Sequence, residues 1–230
     1  LVGFKVDIGF IVDNSASMDG EIDAVASGIE AFEDQLRSSN LNAGIGIVTM
    51  KEDTVDDTHM HKDIGSSSLN LDSIITGSHN IDPYSAILNA SGAIDTVGTS
   101  EPDHFNWRDK ADRNMIFVTD TDREEDKIGA ATFDETQQDV ADQLNDIDVT
   151  LHAVRTDSQN SVDDIVLATG GTSEKKGDAS GSKVADSMLA IAQHIQDNLT
   201  AAAPIQLQVG ARNNGDSQFT LSHSKDMTAF

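Results

Sequence analysis

The chain has 230 residues, with 15 Lys and Arg against 40 Asp and Glu, a formal charge of −25. A folded chain of this length exposes roughly 10,000 Å² of surface, so one excess negative charge falls on about every 400 Å². That balance argues against DNA or RNA as partners, because phosphate binding needs clustered Lys and Arg, and against docking on anionic lipid. It suits hard cations, saline surroundings or basic partners.

The charge does not imply disorder. The hydrophobic share is 37%, and 17 glycines bring the apolar fraction close to the globular norm. The length fits one domain with an appendage. No run approaches the ~18 apolar residues of a membrane span. The absence of cysteine excludes thiol catalysis, disulfides and zinc–sulfur sites.

In chain order, short apolar runs alternate with helical spacing. Val6 to Val12 (VDIGFIV) is a predicted strand. Asp19 to Leu36 follows as a helix, with Ile22, Val25, Ala26, Ile29, Phe32 and Leu36 on one face. Ala43 to Met50 (AGIGIVTM) is the second strand, and Tyr84 to Val97 a helix carrying Ile87, Leu88, Ile94 and Val97. Asn114 to Thr119 (NMIFVT) is a strand, and Phe133, Val140, Leu144 and Ile147 mark a helix. Val149 to Val154 is a fourth strand. Val162 to Thr169 is a short helix closed by Gly170-Gly171. Val184 to Leu199 is the last helix, before Pro204. Alternating strands and helices predict a doubly wound α/β fold, a mainly parallel sheet with helices on both faces. The tail differs. Ile205, Leu207 and Val209 alternate, Asn213-Asn214-Gly215-Asp216 is turn chemistry, and Phe219 and Leu221 alternate again. This predicts a β-hairpin appendage over 204–230, outside a main domain of 1–200.

Ligands of such sheets bind beyond the carboxyl ends of the strands, near the switch in strand order. There the first strand runs into Asp13-Asn14-Ser15-Ala16-Ser17, and NMIFVT runs into Asp120. If the two strands are neighbours, two carboxylates and two hydroxyls converge. All are hard oxygen donors, suited to a small dication with water completing its shell. The competing reading is local: Ser17 or Asp19 as an N-cap and Asp120 as a turn residue.

Taken in order, these motifs resemble the von Willebrand factor type A (VWA) domain and its metal-ion-dependent adhesion site. Trp107-Arg108 followed by Arg113-Asn114 is similar to that family's entry into its fourth strand, and Leu167-Ala168-Thr169-Gly170-Gly171-Thr172 resembles its late turn. The resemblance covers about Val6 to Leu199 and implies a VWA/Rossmann-like fold. It further implies that Asp13, Ser15, Ser17 and Asp120 hold Mg²⁺, with Mn²⁺ or Ca²⁺ as alternatives. The family also uses a Thr from the loop before the middle helix. Here that loop reads TGSHNIDPY, and Asp82 is the best candidate, with Ser78 and Asn80 behind it. Asp122, where the family often has Gly, is a candidate for an adjacent cation.

Other features weigh less. Lys51 to Asp63 (KEDTVDDTHMHKD) holds Asp53, Asp56, Asp57, His59, His61 and Asp63; it reads as a solvated acidic loop, with a transition-metal site as the alternative. Arg123 to Asp126 reads as a polar face. His104 and Trp107 read as an insertion that packs Trp107 on the domain. No Gly-x-Ser-x-Gly elbow, Walker loop or Gly-x-Gly-x-x-Gly is present, so no enzyme is expected. The tail, LQVGARN followed by FTL and Asp226-Met227, resembles the β-hairpin of the bacterial flagellin core domain. The expectation is an extracellular, metal-dependent adhesion domain that captures an acidic group of a protein or glycan partner. The alternative is a displayed domain of a bacterial surface filament.

Overall fold

The computed structural model describes residues 4–13, 18–50, 58–64, 66, 83–93, 104–120, 136–155, 161–175 and 181–202. Among these residues six strands form one sheet: β1 (Lys5–Val12), β2 (Asn42–Met50), β3 (Thr58–Lys62), β4 (Asp112–Thr119), β5 (Val149–Arg155) and β6 (Ser173–Lys175). Their order across the sheet is β3-β2-β1-β4-β5-β6. All neighbours run parallel except β3, which is antiparallel to β2. Among the described residues, five helices cover the sheet: α1 (Asp19–Ser38), α2 (Pro83–Ser91), α3 (Gln137–Asp146), α4 (Asp163–Ala168) and α5 (Gly181–Ala202).

The strand pleat divides the core in two. Val6, Ile8, Phe10 and Val12 of β1 face one side with Ile45, Ile47, Ile116, Val118 and Val154. Helices α1 and α5 close that side through Val25, Ile29, Phe32 and Leu36 and through Val184, Met188, Ile191 and Ile195, both at three-and-four spacing. Phe10 and Phe32 meet edge to face at 5.4 Å. Ile11, Val48, Met50, Met115, Phe117, Leu151 and Ala153 face the other side, under α2, α3 and α4. The doubly wound expectation holds.

Four details differ from the sequence expectation. The middle helix stops at Ser91 rather than Val97. Gly92 takes φ +78°, and the Gly92 and Ala93 amides return to the Asn89 and Leu88 carbonyls, a glycine-terminated helix end. All nine residues of α2 are buried, so a one-sided apolar face was the wrong template. The acidic segment ending at Asp63 is not all loop, because Thr58–Lys62 is an edge strand. Its THMHK sequence lacks the β-branched alternation that marks a strand, and an edge strand needs less of it. At three residues, β6 is too short for any pattern. The proposed hairpin over 204–230 lies outside the described residues.

Two local devices explain glycines. Gly9 and Gly46 lie side by side under Phe105: a Cβ on Gly9 would stand 2.2 Å from the ring, and one on Gly46 2.7 Å. The segment entering β4 thus lies directly on the sheet. In the late turn, Gly170 takes φ +78° and Gly171 sits where a Cβ would meet the Leu151 carbonyl oxygen at 1.7 Å. The Thr169 hydroxyl accepts the Leu151 amide at 3.1 Å. The expected closure of α4 at Gly170-Gly171 is observed.

Candidate metal centre

The chain leaves β1 for α1 and β2 on one side, while β4 pairs with β1 on the other, so the strand order reverses between β1 and β4. This is the crevice where doubly wound sheets bind ligands. Val12 pairs with Val118, which sets Asp13 opposite Thr119 and one position from Asp120. The Asp13 amide donates to the Val118 carbonyl at 2.9 Å, extending the ladder one residue past β1. The Thr119 hydroxyl donates to Asp13 Oδ2 at 2.8 Å. Asp13 is fully buried and Asp120 half-buried.

Two of the five principal candidates, Asp13 and Asp120, therefore come together as the strand-neighbour condition requires. Ser15, Ser17, Asp82, Ser78, Asn80 and Asp122 lie outside the described residues, as do Asp53, Asp56, Asp57 and the Arg123–Asp126 run. The capping alternative is narrowed: the N-cap of α1 is Met18, which makes no side-chain cap hydrogen bond, and Asp19 is already inside the helix. Thr119 was not singled out in the sequence. Its signal was the Thr-Asp ending of an apolar strand, and its part is to hold the Asp13 carboxylate. The donor chemistry here, carboxylate with hydroxyl and no nitrogen or sulfur, fits a hard divalent cation. Among the described residues no three His, Cys, Asp or Glu side chains cluster.

At the opposite end of β1, Asp7 is buried and paired with Arg108 (Nε to Oδ1, 2.5 Å), while the Arg108 amide donates to Oδ2 at 2.6 Å. The same guanidinium reaches the Val6 and Asn42 carbonyls at 2.9 and 2.7 Å, tying β1 to β2. A lone Asp within an apolar strand was the available signal. As expected, Trp107 packs on the domain: its Nε1 donates to the Ser91 carbonyl at 2.8 Å and its ring lies 5.4 Å from Phe105.

Two histidines are held neutral. His152 on β5 is fully buried and touches His194 of α5 edge-on. Burial first, and His194 second, lower its pKa to about 3. Its Nδ1 accepts the Thr172 amide, so Nε2 carries the proton and donates to Asn114 Oδ1, both at 3.1 Å. On β3, His61 is lowered to about 4 by burial and by His59.

A scan against protein-family models finds no match, and a search of the curated proteins finds none. Solved structures are similar in fold. Proximal thread matrix protein 1 from the mussel byssus superposes with a TM-score of 0.57 at 12% identity, over 85% of this chain and 47% of the mussel chain. This chain thus spans about half of that protein. A form of the same protein with a zinc-occupied adhesion-site motif gives 0.53 at 12% identity, over 85% and 46%. The SpRpn10 VWA domain gives 0.54 at 9% identity, over 79% of this chain and 94% of that domain. The pilus adhesin SpaC from Lactobacillus rhamnosus GG gives 0.50 at 13% identity, over 85% and 30%. With its six-stranded order and its helices on both faces, the chain adopts the fold of a von Willebrand factor type A domain.

Proposed function

We propose that this chain is a non-enzymatic adhesion or ligand-binding domain of the cell exterior, working through a divalent cation at the ends of β1 and β4. The observation that carries the reading is the buried Asp13, fixed by Thr119, beside Asp120 at the switch in strand order. Asp13, Ser15, Ser17 and Asp120 would hold the cation, with Asp82 the loop donor and Ser78, Asn80 and Asp122 nearby. Two carboxylates balance the charge of a bound Mg²⁺-class ion and the hydroxyls add none, so the ion keeps an electrophilic open position for an acidic group of a protein or glycan partner; Asp82, as a third carboxylate, would lower that electrophilicity. Thr119 keeps the buried carboxylate oriented. The zinc-occupied motif of the mussel protein and the adhesin among the similar folds support this reading. A strongly acidic coat suits saline surroundings, where screening acts within about 8 Å.

Calorimetric titration of the full chain with Mg²⁺, Mn²⁺ and Ca²⁺ tests the site. Asp13→Ala and the less buried Asp120→Ala are both expected to abolish binding. Equal binding by wild type and both variants refutes the site. A second reading, a displayed domain of a flagellin-like surface filament, is favoured by the tail motif alone. Heptad-like helices in flanking sequence would support it.

A further inference from the structure

At the end of the sheet opposite Asp13 and Asp120, the structure holds a solvent-open cavity of about 310 Å³. It lies between the end of α2, the segment entering β4 and Arg113 at the start of β4. Its walls are of two kinds. Trp107 and Ile147 supply apolar surface. The Trp107 ring is a fixed wall, held by its bond to the Ser91 carbonyl and its contact with Phe105. Arg113 and His104 supply N–H groups. Arg113 Nη1 donates to the Ile147 carbonyl at 2.8 Å, which ties this side chain to the apolar wall. Among the described residues no carboxylate pairs with Arg113. The His104 ring lies against Gly92, where a Cβ would stand 3.5 Å from Cδ2.

We propose that this cavity binds a small organic carboxylate with a flat apolar body. Small-ligand sites are concavities of a few hundred Å³ with apolar walls and a few polar groups. A guanidinium is planar, always charged and matched to a carboxylate by two parallel N–H groups. Trp107 and Ile147 cover the apolar body. A bare phosphate would use Arg113 and leave both walls uncovered. The charge of the lining is the second support. The chain has 40 Asp and Glu, yet among the described residues no acidic side chain lines the cavity. Neighbouring carboxylates are engaged elsewhere: Asp112 Oδ2 accepts Asn114 Nδ2, and Asp63 Oδ2 accepts Asn106 Nδ2, both at 2.6 Å. Asp146 and Asp148 flank Ile147 but are exposed, and salt screens exposed charges beyond about 8 Å. Arg113 and Asp120 stand at opposite ends of β4, about 20 Å apart by the strand rise, so this site does not rest on the cation.

The test is a titration of the full chain with phenylacetate in the presence of EDTA, read by the fluorescence of Trp107, the single tryptophan. Chelation keeps any cation-borne capture of the carboxylate out of the signal. Wild type is expected to give a saturable change with a Kd of about 1–10 mM, as befits ten heavy atoms. Phenylacetamide, which has the same shape without the charge, and inorganic phosphate are each expected to bind about tenfold more weakly or worse. Arg113→Gln is expected to lose the same factor, with circular dichroism checking that it folds. Asp13→Ala leaves phenylacetate affinity unchanged. No saturable change in wild type, equal affinity for phenylacetamide or phosphate, undiminished affinity in folded Arg113→Gln, or loss of binding in Asp13→Ala would overturn the proposal. The phenylacetamide comparison uses wild type alone, so it decides the matter even where Arg113→Gln fails to fold.

Discussion

Acidification is expected to destabilise this domain through one ring, His152. The folded ring is held neutral down to about pH 3, whereas in the unfolded chain it takes a proton near its ordinary value of 6.5. Between those values the unfolded state binds a proton that the folded state refuses, so stability falls as pH falls. Each pH unit in that window is worth about 1.4 kcal/mol. From neutrality to about pH 4 the loss is roughly 3 kcal/mol, a large part of the 5–15 kcal/mol typical of a domain. The cause is visible in the partners: a second ring proton would sit against the Thr172 amide, which already donates to Nδ1. His61 acts in the same direction but more weakly, being only half-buried. The assay is urea unfolding followed by fluorescence of the single tryptophan, Trp107, at a series of pH values. His152→Gln keeps a donor toward Asn114 and leaves the Thr172 amide unpaired, costing about 1–3 kcal/mol at neutral pH. Its loss of stability on acidification is expected to be smaller than that of wild type by roughly 3 kcal/mol. Titration of the 40 carboxyl groups is common to both proteins and cancels in that difference. Coincident pH profiles, or a His152 ring signal titrating near 6.5 in the folded protein, would refute the reasoning.

Three further outcomes are expected. Asp7→Ala leaves the Arg108 guanidinium without its carboxylate and is expected to cost about 3 kcal/mol, the low end for a broken buried pair because Arg108 is partly exposed; a loss below about 1 kcal/mol in chemical denaturation would contradict the clamp. Gly9→Ala drives a methyl into the Phe105 ring and is expected to cost about 1–3 kcal/mol. Adding Phe105→Leu should recover part of that loss, and strict additivity of the two variants would count against the contact. Finally, raising NaCl from about 0.05 to 0.5 M is expected to raise Tm, since salt screens the self-repulsion of 25 excess negative charges; a fall in Tm would show that attractive pairs dominate instead.

Much of the fold was legible because the strands are short apolar runs and the two long helices repeat at three and four residues. Val25, Ile29, Phe32 and Leu36 are the buried stripe that the spacing predicts. Elements with weak periodicity were missed or misjudged. Strand β3 reads as polar because its edge position asks little of THMHK, and α2 lacks a polar face because it is enclosed on all sides. The candidate site was legible as two strand ends, since Asp13 and Asp120 each follow an apolar run.

By itself the sequence determined the alternation of strand and helix, the acidic surface and the oxygen chemistry of the residues at the strand ends. All of these follow from local pattern and residue type. Only the tertiary structure decided that β1 and β4 are neighbours, because strand order depends on which crossover passes which face, and spacing along the chain does not encode it. That adjacency puts the Thr119 hydroxyl on the Asp13 carboxylate and Asp120 beside it. The same holds for Phe105 on Gly9 and Gly46, and for Arg108 on Asp7: partners roughly sixty to a hundred residues apart in the chain meet only once the sheet is assembled.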